Sequence, residues 1–388
     1  MNHDTPKLTD ENVLHRARTR LQEHLPVQAD GYRCTTADLL NVLLGVAVNR
    51  GTIEALCADL LGTPNPETIR RYLNAQLRVG ELPALLDHVN AALADEIPAR
   101  VWAHARDVAI DFHDCPYYGT LPQDQGLWVR GEAKAGTTRF YRIATASVML
   151  EGRRVTLAVH FVLPEEAPVF VLDRLLQRLE TLGLRAKRLF LDKGFAGTAV
   201  ITCLTQRQQP AVIACPIRGK QGGTRALCRG RGSYRTTYTF TGGDHAPVTV
   251  AVAVCRVFTT AKRTKRLERR ARWLLFLLIH LDLTPHQTRR LYRKRFGVES
   301  SYRCAVQVRG WTTSKNPAYR FVLIGLSFIL LNVWLHLRWA FTQVSRRGRR
   351  WLDTQRFALT RFVRFVRRAL ERHYGAVYEI VAPPVPRL

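Results

Sequence analysis

Residues 153 to 195 read RRVTLAVHFVLPEEAPVFVLDRLLQRLETLGLRAKRLFLDKGF. The first eleven positions are rich in apolar and β-branched residues, as a strand is. From Val169 to Leu184 the apolar residues recur at helical spacing, and a second apolar run, RLFLDKGF (188 to 195), follows. Strand, helix, strand is the unit from which an α/β core is built.

Working outward, two more strand-like runs precede this stretch: DVAIDF (107 to 112) and RFYRIATASVML (139 to 150), the latter joined to RRVTLAVHFVL by a Glu151-Gly152 turn. Two or three antiparallel strands, a helix and a further strand predict the opening of an RNase H-like sheet. Residues 1 to 98 read as helical. Within them, TIEALCADLLGTPNPETIRRYLNAQL (52 to 77) holds a helix through Leu60, a break at Gly62 and a second helix capped by Asn65 with Pro66 in its first turn. This spacing suits a helix-turn-helix with Arg70 and Arg71 facing DNA, and equally suits a plain helical hairpin. Residues 205 to 270 read as a β-rich insertion around a basic loop, RGKQGGTRALCRGRGSYR (218 to 235), whose charge fits contact with DNA backbone. It has no phosphate-cradling P-loop pattern.

The expected domains are therefore 1–98, a helical DNA-binding region; 99–204, the first part of the core; 205–270, the insertion; 271–342, the second part of the core; and 343–388, an Arg-rich helix and tail. Residues 321 to 335, FVLIGLSFILLNVWL, imitate a membrane span. Only 17 residues separate Arg320 from Arg338, and Asn332 and His336 lie between them, so a buried core helix is expected. Beyond it, residues 338 to 373 carry eleven Arg against Asp353 and Glu371, and QRFALTRFVRFVRRALERH (355 to 373) reads as a basic amphipathic helix docked on the core.

The 388-residue chain carries 59 Lys plus Arg against 31 Asp plus Glu, a formal charge of +28, which points to a polyanionic partner, nucleic acid first. Its eight cysteines form no C-x-x-C pair, so neither a zinc site nor a disulfide framework is indicated, and reduced thiols in a cytoplasmic protein are expected. The polar start MNHDTPKLTDENV has no apolar run of the secretory kind. Among the histidines none stands at metal-site spacing.

Acids placed at strand ends carry the chemistry. Asp111 closes the run VAI and Asp192 closes RLFL, each followed by a change of direction that holds a carboxylate at a sheet edge. Glu299 stands in YRKRFGVESSYR (292 to 303), one acid among Arg293, Lys294, Arg295 and Arg303. As a surface residue it would pair with Arg303, four positions on. As a third carboxylate it completes a set of oxygen ligands for two Mg²⁺ or Mn²⁺ ions acting on a phosphodiester. Asp114 is the rival for the first ligand, past the apolar run and in a position suited to a turn. Asp107, Asp173 and Glu180 read as ordinary surface acids.

AIDFHDCPYYG, LFLDKGF and YRKRFGVESSYR together resemble the three blocks of DDE insertion-sequence transposases of the insertion-sequence-four superfamily, which includes the Tn-five transposase. GWTTSKNPAYRFVLIGLSFILLNVWL (310 to 335) looks closest to the ISH-three branch. D-x-G-[FY] fits Asp192, Gly194 and Phe195, and Y-x-x-R-x-x-x-E fits Tyr292, Arg295 and Glu299. The resemblance implies an RNase H-like core interrupted by a β insertion, with Asp111, Asp192 and Glu299 as catalytic metal ligands. It further implies Tyr292 and Arg295 as contacts to DNA backbone near the cleaved end, with Arg303 beside them. Its partners would be double-stranded DNA with terminal inverted repeats and target DNA, with no membrane, a homodimer across paired ends and a cytoplasmic, nucleoid-associated location. The family's basic residue seven positions after the Glu is Val306 here; Arg309 and Lys315 are the candidate substitutes. A catalytically inactive DNA-binding remnant or regulator is the competing expectation, and a membrane-associated basic protein built on residues 321 to 373 is a third.

Overall fold

The computed structural model describes residues 7–95, 97, 101, 104–119, 127–150, 153–242, 245–263, 266–346 and 349–380. The turn expected at 151 and 152 and the domain boundary expected at 98 and 99 lie outside them. The chain forms two compact units, Met1–Ile97 with Arg303–Leu388, and Pro98–Tyr302.

The first unit is mainly helical. It begins with α1 (Asp10–His24), a two-residue hairpin of β1 (Asp30–Gly31) and β2 (Cys34–Thr35), then α2 (Thr36–Asn49), α3 (Ile53–Asp59), α4 (Pro66–Gln76) and α5 (Leu82–Asp95). Their starts follow from local chemistry: Thr9, Thr35, Thr52 and Asn65 each accept a backbone N–H of the first turn, so orphaned donors are satisfied where the chain enters each helix. α2 is apolar all round and is buried from Leu39 to Val48.

In the second unit nine strands form one mixed sheet. Its elements are β3 (Arg106–Pro116), β4 (Val129–Lys134), β5 (Thr137–Leu150), β6 (Arg153–Val162), α6 (Pro168–Thr181), β7 (Ala186–Leu191), α7 (Thr198–Gln206), β8 (Ala211–Cys215), β9 (Tyr234–Gly242), β10 (His245–Arg263) and β11 (Arg266–Ile279). Two helices close it, α8 (Pro285–Arg293) and α9 (Gly297–Gln307), the latter running on into the first unit. The strand order is β4-β5-β3-β7-β8-β11-β10-β9, with β6 also on β5. β3 pairs antiparallel with β5 and parallel with β7, and β7 pairs parallel with β8. A parallel pair buried on both faces wants continuous apolar runs, which Val108–Ile110, Leu189–Leu191 and Ala211–Ile213 supply, all fully buried. The strands of the expected insertion are not a separate sheet: β11 pairs with β8, so β8 to β11 extend the same sheet.

The chain then returns to the first unit with α10 (Pro317–Phe341), the hairpin β12 (Gln343–Arg346) and β13 (Arg349–Leu352), and α11 (Leu359–Tyr374). α10 is longer than expected from its sequence. It is 25 residues long and apolar enough to cross a membrane, yet 83% of its most apolar window is buried inside the protein. Asn332 Nδ2 donates to the Leu93 carbonyl at 3.2 Å, so the polar group inside the run has a partner in α5. α11 buries Phe362, Val366, Ala369 and Leu370, while Arg372 pairs with Asp10 and Glu11 of α1. Tyr374 Oη donates to Asp38 at 2.8 Å and accepts from Asn41.

Candidate active site

The register of the parallel strands fixes the first two acids. Ile110 stands opposite Leu191, so Asp111, in the middle of β3, and Asp192, just past the end of β7, stand at the same level; β3 runs on to Pro116, so neither the change of direction expected after Asp111 nor the turn expected at Asp114 occurs. Asp192 ends β7 by accepting, through its carbonyl, the N–H of Phe195 in a tight 3-10 turn, Lys193–Phe195. Phe195 folds back to stack on Phe112, with ring centroids 4.4 Å apart and planes nearly parallel. A Cβ on Gly194 would meet the Phe112 ring at 3.1 Å, so glycine there leaves the ring room to lie against the turn.

Asp111 is 5% exposed and faces Arg295, whose Nη2 lies 2.5 Å from Asp111 Oδ1 and 3.6 Å from Asp192 Oδ1. Since one nitrogen makes both contacts, the two carboxylate oxygens are no more than about 6 Å apart. Arg295 is 4% exposed, and its guanidinium also lies over the Tyr292 ring, 5.5 Å from the centroid. Burial raises the Asp111 carboxyl to about 6; Arg295 opposes the rise, and the negative charges of Asp192 and Glu299 add to it. Burial opposes the charge on Arg295, but Tyr292, Asp111 and Asp192 overcome it and push its pKa up. The pocket is thus anionic enough to draw a cation under a protein surface.

Tyr292 is buried, donates its hydroxyl to the Leu191 carbonyl at 2.9 Å and packs on Phe276. Tyr292 and Arg295, expected at DNA backbone, therefore both face protein in this structure. Glu299 lies in the first turn of α9, exposed, and has no ion-pair partner among the described residues. The surface salt bridge considered for it is not formed. Asp114 is held instead by Arg142 of the neighbouring strand in a two-pronged contact of 2.7 and 3.0 Å, on the opposite face of β3 from Asp111. Asp107, expected at the surface, is half-buried against Arg188, while Asp173 and Glu180 pair with Arg207.

Two further residues support the site, of which sequence reasoning marked only Gly297, as a break in the helix before Glu299. Tyr302 donates to the Asp111 carbonyl at 3.3 Å and shares a 2.6 Å contact with Thr145, the cross-strand partner of Asp111, while its ring stacks on His113. This ties α9 to the strand that carries Asp111. Gly297 is the other: a Cβ there would lie 2.8 Å from Arg154 Nε, and Arg154 itself donates to the Leu150 and Lys294 carbonyls, anchoring the turn before Glu299. Its signal was a glycine at the entry to a helix.

The carboxylate oxygens are hard donors of the kind Mg²⁺ and Mn²⁺ take, and a guanidinium already lies between two of them, so the set fits a divalent cation. The three carboxylates are not closed to within 4.8 Å of one another. Among the described residues only Glu23, His24 and Asp95 are, in the helical unit, and Arg20 already pairs with Glu23 and Asp95 there.

The remaining residues expected at DNA belong to the first unit. Arg70 pairs with Glu54 and, with exposed Arg71, Arg33 and Asn65, lines a cavity of about 890 Å³ at the start of α4. Arg70 also lines a smaller one, about 250 Å³, with Trp311 and Thr312. Arg303 and Lys315 are exposed and Arg309 is half-buried.

The fold has a counterpart among solved structures. A cryo-EM structure of the piggyBac transposase synaptic complex with hairpin DNA superposes with a TM-score of 0.54, covering 93% of this chain and 76% of that one, at 10% identity, which is a likeness of fold. No curated protein sequence matches. A family model described as "Transposase DDE domain" matches residues 102–333, a span that opens just before β3, closes within α10 and takes in Asp111, Asp192 and Glu299. By that match, over more than half its length, the chain belongs to the transposase DDE domain family.

Proposed function

We propose that this protein is a DNA transposase that cleaves phosphodiesters at the inverted-repeat ends of an insertion sequence and joins them to target DNA in a cut-and-paste reaction, on an RNase H-like core. The observation that carries the reading is the convergence of Asp111 and Asp192, from adjoining parallel strands, on one buried cation, with Glu299 on the helix that Tyr302 ties to the Asp111 strand. Its closest relatives would be the insertion-sequence-four superfamily and its ISH-three branch.

Asp111, Asp192 and Glu299 would hold the divalent ions, two Mg²⁺ or Mn²⁺ in the family pattern. Such ions supply charge neutralisation at the phosphate and activation of a water or 3′-hydroxyl. The chain's own residues do the positioning. The Phe112–Phe195 stack fixes the spacing of the two aspartates, and the Tyr302 and Arg154 contacts fix the angle at which α9 presents Glu299. Arg295 offsets part of the charge of Asp111 and Asp192 in the ion-free protein, and its second role would be to donate to a DNA phosphate. A role for Tyr292 at DNA requires it to leave the Leu191 carbonyl. Arg309 or Lys315 would stand in for the basic residue missing at Val306. Double-stranded DNA bearing the element's ends, target DNA and a second copy of the chain are the proposed partners, and the cytoplasmic nucleoid the proposed location.

The test is cleavage of a duplex carrying the element's own terminus, with Mg²⁺, by wild type and by Asp192→Asn. Cutting at the element boundary by wild type alone is expected. Well-folded wild type that binds the terminus without cutting it would support a DNA-binding protein that has lost catalysis.

A further inference from the structure

The buried guanidinium of Arg295 is poorly satisfied for an arginine. Such a group carries five N–H donors in a planar fork and pairs best with a carboxylate through two parallel bonds. Arg142 on Asp114 and Arg188 on Asp107 do this in the same sheet, each through Nε and Nη2. Arg295 instead reaches two different carboxylates through Nη2, Asp111 at 2.5 Å and Asp192 at 3.6 Å. Its Nε is buried with no hydrogen-bond partner among the described residues. The Tyr292 ring supports the guanidinium from one side and is itself fixed to the Leu191 carbonyl, one residue before Asp192.

This arrangement fills the place of a metal without matching one. A divalent ion bonded to Asp111 and Asp192 needs the same oxygens and the same space, and it repels the guanidinium as a second cation. The two therefore exclude each other. Arg295 lies in the 3-10 turn Lys294–Phe296 between α8 and α9, beside exposed Arg293 and Lys294. Asp192, whose side chain is 32% exposed, is followed by exposed Lys193. Cations at the open side of the pair favour an approaching phosphate, and a phosphate offers a guanidinium the two-pronged partner that it lacks on the aspartates.

We propose that Arg295 is a stand-in cation that closes the Asp111 and Asp192 pair to metal until DNA arrives: a backbone phosphate draws the guanidinium out, and the pair then takes its divalent ion. The mutual exclusion stands on the distances, whereas the phosphate as trigger rests on the transposase reading. The consequence is an order of events. Metal and duplex bind cooperatively, each tightening the other by the same factor, and the centre is not loaded for cleavage while no DNA end is bound.

The experiment measures Mn²⁺ binding to the full chain by electron paramagnetic resonance, without DNA and with a duplex carrying the element's terminus. Arg295→Gln, its folding checked by circular dichroism, should bind Mn²⁺ without DNA roughly 10-fold or more tightly than wild type, a factor usual for coupled sites. Arg295→Lys keeps the charge and should stay close to wild type. The duplex should tighten Mn²⁺ binding by wild type more than by Arg295→Gln. A folded Arg295→Gln that binds Mn²⁺ no better than wild type would overturn the gate and leave the transposase reading in place, and an equal gain from the duplex in both proteins would overturn phosphate as its trigger. A second measurement needs no variant: phenylglyoxal labelling of wild type, read by mass spectrometry, should spare Arg295 in EDTA and reach it once Mg²⁺ is added. Protection in both conditions would overturn the displacement. Asp192→Asn that binds Mn²⁺ as wild type does would instead place the ion elsewhere, which removes the metal centre of the transposase reading and the gate with it.

Discussion

Replacing Asp111 by Asn should make the ion-free protein more stable at alkaline pH. The Asp111 carboxyl titrates near 6 in the folded chain against an ordinary 3.8, chiefly because burial penalises the carboxylate, and Arg295 only partly offsets this. With a folded value above the unfolded one, the stability is fully present below 3.8 and is lost as pH rises through 6. The gap corresponds to roughly 3 kcal/mol, and at 5% exposure solvent screening does little to reduce it. Asn mimics the neutral acid and can still accept from Arg295 Nη2, which keeps Asp192 3.6 Å away as a counter-charge. Urea unfolding in EDTA at pH 8 should therefore show Asp111→Asn more stable by up to about 3 kcal/mol, and at pH 4 nearly equal to wild type. Adding Mn²⁺ at pH 8 should narrow the difference by stabilising wild type. A variant equal to or weaker than wild type at pH 8 would refute the view that this site stores an uncompensated anionic cost.

Other substitutions probe the supports. Glu299→Gln should abolish strand cleavage while changing duplex affinity and thermal midpoint little, because Glu299 is exposed and has no ion-pair partner among the described residues; loss of folding would argue for a structural acid. Tyr302→Phe leaves the fully buried Thr145 hydroxyl short of a partner and should cost about 1–2 kcal/mol in denaturant unfolding. Gly297→Ala should displace Arg154 and lower the thermal midpoint, with the double variant Gly297→Ala, Arg154→Ala recovering less than wild type but more than Arg154 retained. Asn65→Ala removes the cap on α4 and should cost about 1 kcal/mol, read by circular dichroism on heating.

Much of the sheet was legible because a strand buried on both faces has little freedom of composition: VAI before Asp111 and LFL before Asp192 have no amphipathic alternative. The N-cap before α4 was equally plain, since Asn65-Pro66 carries its start signal locally. What was hidden is non-local. Arg295 was expected at DNA backbone, and its spacing reveals nothing of its pairing with two aspartates 184 and 103 positions earlier. That β11 rejoins β8 is a pairing across about 60 residues, invisible to any window. α10 was underestimated because Arg320 and Arg338 looked like its limits, whereas Asn316 caps it and Arg320 hydrogen-bonds the Thr312 and Ser314 carbonyls, which satisfies the charged group without ending the helix.

The helical unit is assembled from both sides of the sheet unit in sequence. Gly62 N–H donates to the Tyr374 carbonyl at 2.9 Å, and Asn41 and Asp38 share the Tyr374 hydroxyl. During synthesis, α1 to α5 must therefore wait while some 300 further residues are added, on the order of 15–60 s at ribosomal speeds. From residue 279 the sheet unit has all its strands, but the apolar flank of α2 still has no α11 to cover it, and α10 emerges apolar enough to cross a membrane. A chain that stops before residue 374 lacks the Tyr374 contacts to Asp38, Asn41 and Gly62 that join the two ends of the first unit.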